Sequence, residues 1–243
     1  MTSRADERDG KRELDPDALD HHSDYKIMAG CIVPRPIGFI STVDRSGIAN
    51  AAPFSFFNMV SHIPPMVSVS IARNRAGDGP KDTLANIQTS GEFVVNIVTD
   101  DIVAAVDRCS EPYPPEIDEI ALSGLTPAAS AALKAPAILE SPANFECRMI
   151  RQVDLPDSIH TLIIGQVVRM HIRNDILTPQ FRIDQKRLAA IGRMAGSTYC
   201  RTADMFTLAH DGFAAVSLPQ NGKDQDSKDQ AAKDKAPERR GPP

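Results

Sequence analysis

The stretch that most limits how this chain can fold runs from Ile159 to Arg173, where the alternating segment LIIGQVVRMHI is long enough for a continuous barrel strand. A period of two sends successive side chains to opposite faces of a sheet. Ala143 to Val153 is a second run of the same kind, and the Leu155-Pro156-Asp157-Ser158 between them has the composition of a turn. Strands joined this closely pair antiparallel, because a parallel pair needs a crossover of a dozen or more residues.

The rest of the chain repeats the pattern with helices inserted. Pro36 to Val43 is apolar and β-branched and ends in the turn Asp44-Arg45-Ser46-Gly47, after which Ile48 to Phe57 resumes, so a hairpin is expected. Met66 to Ala72 alternates cleanly, with Ser61-His62-Ile63-Pro64-Pro65 before it as a turn. Lys81 to Thr89 changes to helical spacing, with Asp82 or Thr83 suited to cap its start and Gly91 its end. Glu92 to Thr99 is strand again, Asp100 to Cys109 a short helix, and Lys186 to Ile191 a helical turn that Gly192 can terminate. Residues 110–136, with five prolines, read as a long surface excursion.

Six or seven strands in hairpin order exclude a doubly wound parallel sheet and favour a mainly β architecture, an antiparallel barrel with helical insertions. Neither G-x-G-x-x-G nor the P-loop pattern occurs. Composition divides the chain of 243 residues into a charged arm over 1–24, a folded domain over 25–218 and a charged tail over 219–243. The arm carries −4 and the tail +1 of the net −5, leaving −2 on the folded part; neither end holds enough apolar surface to offset ordering, so both are expected to be disordered. A nearly neutral domain offers no electrostatic case for nucleic acid. Cys31, Cys109, Cys147 and Cys200 are too scattered for a dithiol or zinc site and read as reduced thiols. No apolar run approaches a membrane span and the start resembles no signal peptide, so the expectation is a cytoplasmic protein without membrane contact.

Chemistry concentrates in a few segments. Arg73 to Thr83 joins a strand to a helix with glycines, fixed positive charge and a hydroxyl, and a phosphate there would meet the helix N-terminus, Lys81 and Thr83. The same composition is common where a loop merely caps a helix. Asn50 to Asn58 interleaves Asn50, Ser55 and Asn58 with Phe54, Phe56 and Phe57, which suits either a core strand or one face of a planar heterocycle. His160 opens the longest strand, where a structural role competes with a catalytic one. Arg193 could present its planar fork to a phosphate or carbonyl, with Tyr199 closing the site. No spaced ligand pair supports a metal, and no nucleophile elbow a serine hydrolase.

The order RPIGFISTVDRSGIANAAPFSFFNMVSHIPPMVSVSI, KDTLANIQTSGEFVVNIV, HTLIIGQVV and IGRMAGSTY resembles the flavin reductase family of FMN-binding split barrels, over about residues 25–205. The resemblance implies a Greek-key split barrel that dimerises with FMN near the subunit interface. It implies that Asn50, Ala52, Pro53, Ser55, Phe56, Phe57 and Asn58 lie along the flavin, that Lys81, Asp82 and Thr83 form the phosphate side, and that Arg35, Arg193 and Tyr199 stand near the cofactor. His160 matches a histidine on the nicotinamide side of the ring. The implied activity is hydride transfer from NADH or NADPH to flavin N5, supplying reduced flavin to a monooxygenase partner or reducing a small acceptor. The alternatives are an FMN-binding electron-transfer or sensing protein without NAD(P)H activity, and a related barrel holding pyridoxal phosphate or haem.

Overall fold

The computed structural model describes residues 7–8, 10–73 and 79–208. The chain divides into two units, Met1–Met205 and Phe206–Pro243; of the second, only residues 206–208 are described, in neither helix nor strand. The expected tail, residues 219–243, lies outside the described residues.

Seven strands form one sheet, each paired antiparallel with its neighbours: β4 (Gly38–Val43), β5 (Ala49–Phe54), β6 (Phe57–His62), β7 (Pro65–Ala72), β8 (Glu92–Ile97), β11 (Ala143–Asp154) and β12 (His160–Ile172). Their order is β5-β4-β8-β11-β12-β7-β6. The two edge strands are consecutive in sequence, joined by only Ser55 and Phe56, so the sheet curls back toward itself; the Phe56 carbonyl, accepting from the Ser70 N–H at 2.8 Å, extends the β6–β7 pairing by one residue. The two longest strands are those the alternation marked, and bulges at Glu146/Cys147 and Met149/Arg151 bend them around the barrel.

The barrel interior is filled from every strand, with Ile40, Phe54, Phe57, Val69, Phe93, Cys147 and Ile163 among its buried residues. Helix α2 (Asp82–Ser90) plugs it with Leu84 and Ile87. Gly165 has no side chain because none fits: a Cβ there would lie 2.3 Å from Cζ of the buried Phe93.

The other face of β4 and β5 is covered by α3 (Val103–Arg108) and α4 (Glu119–Ser123), which bury Val106 and Ile120 against Phe39 and Ala51. A three-stranded sheet joins β3 (Arg35–Pro36), β13 (Ile191–Arg193) and β14 (Tyr199–Arg201). Short pairs β1 (Glu7–Arg8) with β2 (Lys11–Arg12), and β9 (Pro127–Ala128) with β10 (Ala137–Ile138), complete the strands among the described residues. Helix α1 (His21–Cys31) is capped by Asp20, whose carboxylate accepts from the His22 and Ser23 N–H groups at 3.0 Å each, so the boundary expected at residue 24 falls inside a helix.

Several expected details change. Ser61 and His62 belong to β6, leaving Ile63 and Pro64 as the turn. The N-cap of α2 is Lys81, whose ammonium has no acceptor with which to cap the helix, and the Thr83 hydroxyl is turned inward. Gly91 does terminate α2, at φ 70°. Helix α5 is only Gln185–Leu188 and ends on Ala189 in the left-handed region, while Gly192 sits inside β13, where a Cβ would meet Pro34 at 2.7 Å. The proline-rich segment 110–136 is more than a surface excursion, since Ile120, Leu125 and Ala135 are buried. Two carboxylates pin this part of the chain: Glu119 reaches into β5, and fully buried Glu146 of β11 accepts from the Ala131 and Ala132 N–H groups at 2.6 and 2.8 Å.

Candidate functional site

The expected site residues separate into three neighbouring groups. The first lies where α2 meets β5. Thr83, buried, donates to Asn50 Oδ1 at 2.8 Å, and Thr42 donates to the same oxygen at 3.3 Å. The Asn50 amide donates to both oxygens of Glu119, at 2.9 and 3.0 Å, and the Ala51 N–H to one of them at 3.2 Å. Asn50 and Thr83 are therefore committed to the interior rather than to open solvent. Burial pushes the Glu119 carboxyl above its ordinary value, as it does the half-buried Asp82. Lys81, at the start of α2, holds its ammonium 5.8 Å from the centre of the Phe54 ring, which ties the helix start to the end of β5.

The second group surrounds a cleft of about 480 Å³ immediately beyond Phe54. Ser55, Phe56, Phe57 and Asn58 form one wall, Pro34, Arg35 and Pro36 another, and Tyr25 and Met28 of α1 with the following Ile32 a third. Phe57 is buried and anchors its wall in the barrel core, while Phe56 is exposed and lies 5.5 Å from the His160 ring at an interplanar angle of 30°. Burial lowers the His160 pKa below the ordinary imidazole value, which favours the uncharged ring. Asn58 is exposed and folds its side-chain oxygen onto the Met59 N–H at 2.8 Å. Ala52 and Pro53 are half-buried on β5; Proline is tolerated there because β5 is an edge strand.

Arg35 stands between the cleft and the third group. Its guanidinium, on a residue only 6% exposed, donates to the Ala29 and Ile32 carbonyls at 2.6 and 3.1 Å, to Met194 O at 2.8 Å and to Ser55 Oγ at 3.4 Å. It thus clamps the last turn of α1, the β13–β14 turn and the cleft wall together. Beyond Met194, Arg193 contacts the Tyr199 hydroxyl and stacks 4.4 Å from its ring centre, and that hydroxyl donates to Asp107 at 2.5 Å. Burial first, and the Asp107 carboxylate second, push the Tyr199 phenol above its ordinary value.

The sheet places His160 beside the cleft although 102 residues separate it from Asn58 in sequence, because β12 pairs with β7, and β7 with β6. Residues 74–78 of the expected phosphate loop lie outside the described residues. The loop's ends meet, with Arg73 bridged to Pro80. Sequence reasoning missed Glu119 and the α1 wall. Glu119 sits in a proline-rich stretch without periodicity, and Tyr25, Met28 and Ile32 were assigned to no element, although Asp20 before them is an ordinary N-cap signal. Among the described residues no group of three or more His, Cys, Asp or Glu side chains could hold a metal ion, and no helix is long and apolar enough to cross a membrane.

Comparison with known proteins decides the family, because residues 28–191 match the model of the flavin reductase like domain. The chain belongs to that family. Its strand order, cleft and clamp are therefore one member's version of a flavin reductase-like fold. It is similar to nitrilotriacetate monooxygenase component B from Bacillus cereus, 35% identical with TM-score 0.77, over 82% of this chain and 98% of the other. It is also similar to the Pseudomonas fluorescens 2-nitrobenzoate 2-nitroreductase NbaA, 27% identical with TM-score 0.75, over 86% of this chain and all of the other. A Shewanella frigidimarina protein described as a flavin reductase with split barrel domain shares 20% identity at TM-score 0.71, covering 80% of this chain and 96% of its own, and shows the same fold. The flavin reductase-like split barrel expected from the sequence is thus borne out, and with it the oxidoreductase class of its relatives.

Proposed function

We propose that this protein is an NAD(P)H-dependent FMN oxidoreductase that works as a cytoplasmic homodimer. The observation that carries the reading is the continuity of three features along β5: the cationic start of α2 at Lys81, the Phe54 ring beside it, and the cleft that opens at Ser55. The residues fit FMN in kind. A cleft of about 480 Å³ lies within the size range of small-molecule sites, roughly 300–1,000 Å³. Its walls are largely apolar and aromatic with Arg35, Ser55, Asn58 and Ser68 among the polar points, and a helix start with a lysine suits a phosphate.

On this reading Ser55 to Asn58 hold the ring of the flavin, with Ala52 and Pro53 continuing that wall along β5. Lys81 and the backbone N–H groups of α2's first turn, that of Asp82 among them, hold its phosphate. Asn50 and Thr83 act from beneath by fixing α2 to β5, and Arg35, with Arg193 and Tyr199 behind the Met194 turn, fixes the wall that carries Ser55. When bound, FMN supplies the hydride-accepting chemistry, with NADH or NADPH as donor. His160, its ring tilted by 30° against Phe56, borders the side from which a nicotinamide approaches and contributes shape to it. Met59, Val60 and Ile63 expose apolar side chains along β6 and its turn, 69%, 52% and 63% accessible, which supports a second copy packing beside the cleft.

The likeness to a monooxygenase component and to a nitroreductase supports two destinations for the electrons, a partner monooxygenase or a small acceptor. The test is the visible spectrum of the purified protein before and after addition of FMN. A flavin spectrum shifted from that of free FMN is expected; no binding of FMN in either condition refutes the proposal.

A further inference from the structure

We propose that Glu119 is a positioning residue for the cofactor: by fixing the side-chain amide of Asn50 it sets how the start of α2 stands against β5, and so favours a flavin that carries a phosphate. The inference rests on the FMN reading above and assigns a role to the segment 110–136 that the family resemblance leaves open.

The argument is one of hydrogen-bond direction. An ionised carboxylate can only accept. Both Glu119 oxygens face N–H donors, the Asn50 amide at 2.9 and 3.0 Å and the Ala51 N–H at 3.2 Å, so Asn50 must turn its NH₂ toward α4. Its carbonyl oxygen must then point the other way, where it accepts from Thr83 at 2.8 Å and Thr42 at 3.3 Å. Thr42 in turn accepts from Asn86 at 3.1 Å. Thr83 and Asn86 are three positions apart on α2, on one face of the helix, so a single carboxylate 6% exposed orders two grips on that helix. Every member is buried, and a reversed donor anywhere in the chain has no water to turn to.

Glu119→Gln keeps the shape and brings an N–H into this cluster of donors. Either the Asn50 amide reverses, so that the two threonine hydroxyls lose the oxygen to which they donate, or one contact opens. In both cases the polar grips that set α2 against β5 and β4 loosen, while Leu84 and Ile87 keep the helix in the barrel. A ligand that spans both elements feels the change, whereas a ligand held only by the cleft does not. FMN and riboflavin differ by the phosphate alone, so their comparison isolates the effect.

The experiment measures dissociation constants for FMN and riboflavin by flavin fluorescence in the full-length wild type, Glu119→Gln, Thr83→Val and the double variant, with thermal unfolding followed in parallel. Loss of one buried charge-assisted hydrogen bond predicts FMN binding weakened about tenfold and riboflavin changed by less than about twofold. Thr83→Val should act in the same direction, and the double variant should be no worse than the weaker single, because both break one relay. If Glu119→Gln does not fold, Thr83→Val alone must show the selective loss. An unchanged FMN preference in folded Glu119→Gln, an equal loss for both flavins, or additive effects in the double variant overturns the proposal. A wild type that binds neither flavin overturns the FMN reading itself.

Discussion

Replacement of Arg35 by lysine separates two roles that the sequence could not. A cofactor contact through charge would largely survive, because lysine keeps the cation. The clamp would not: Arg35 donates in four directions from a rigid planar fork, to Ala29 O, Ile32 O, Met194 O and Ser55 Oγ, and an ammonium is a point that reaches one or two of these. Hydrogen bonds from a charged group contribute about 1.5–3 kcal/mol each, so loss of two predicts destabilisation of about 3 kcal/mol or more. That is a large part of the roughly 5–15 kcal/mol available to a domain. Urea unfolding of wild type and Arg35→Lys measures it directly, with a lower midpoint and an unchanged slope expected. A variant of wild-type stability that no longer binds FMN would show that the side chain serves the cofactor and not the clamp.

Other substitutions probe the same architecture. Lys81→Ala is expected to weaken FMN binding by about 1.5–3 kcal/mol, roughly tenfold or more, by loss of a charge-assisted phosphate contact, with riboflavin little affected; fluorescence titration with both flavins checks it. Gly165→Ala drives a methyl into the Phe93 ring, 2.3 Å away in the fixed structure, and should lower stability by about 1–3 kcal/mol in the same urea assay. Because burial holds the His160 pKa below 6.5, protonation favours the unfolded chain; its contribution is full above that value and declines as pH falls through it, so His160→Asn should flatten the fall in Tm on acidification below about pH 6.5.

How much of this was legible in the sequence depends on the range of the signal. Period-two runs over Ala143–Val153 and Ile159–Arg173 report on their own backbone, and they appear as β11 and β12 within a residue or so. The switch to helical spacing after Lys81 and the stop at Gly91 were equally local. The site is a matter of partners, and partners are distant. Thr83 looks like a cap or a phosphate ligand until Asn50, 33 residues away, is seen to take its hydroxyl. The resemblance places Arg35 near the cofactor, and its part in the clamp shows only when Met194, 159 residues away, is seen to share it with α1. Nothing in the sequence set Glu119 apart from its acidic neighbours Glu111, Glu116 and Asp118, since its importance lies in being buried against β5.

The central claim is that nicotinamide reduces a flavin held at the cleft between α1 and the Ser55–Asn58 wall. It is tested most directly by titrating the FMN-loaded protein anaerobically with NADH and, separately, with NADPH while following the visible absorbance of the bound flavin. The account predicts that at least one of the two nucleotides bleaches the flavin within turnover time. A bound flavin that stays oxidised in the presence of both would contradict it and leave an FMN-binding protein whose electrons come from elsewhere.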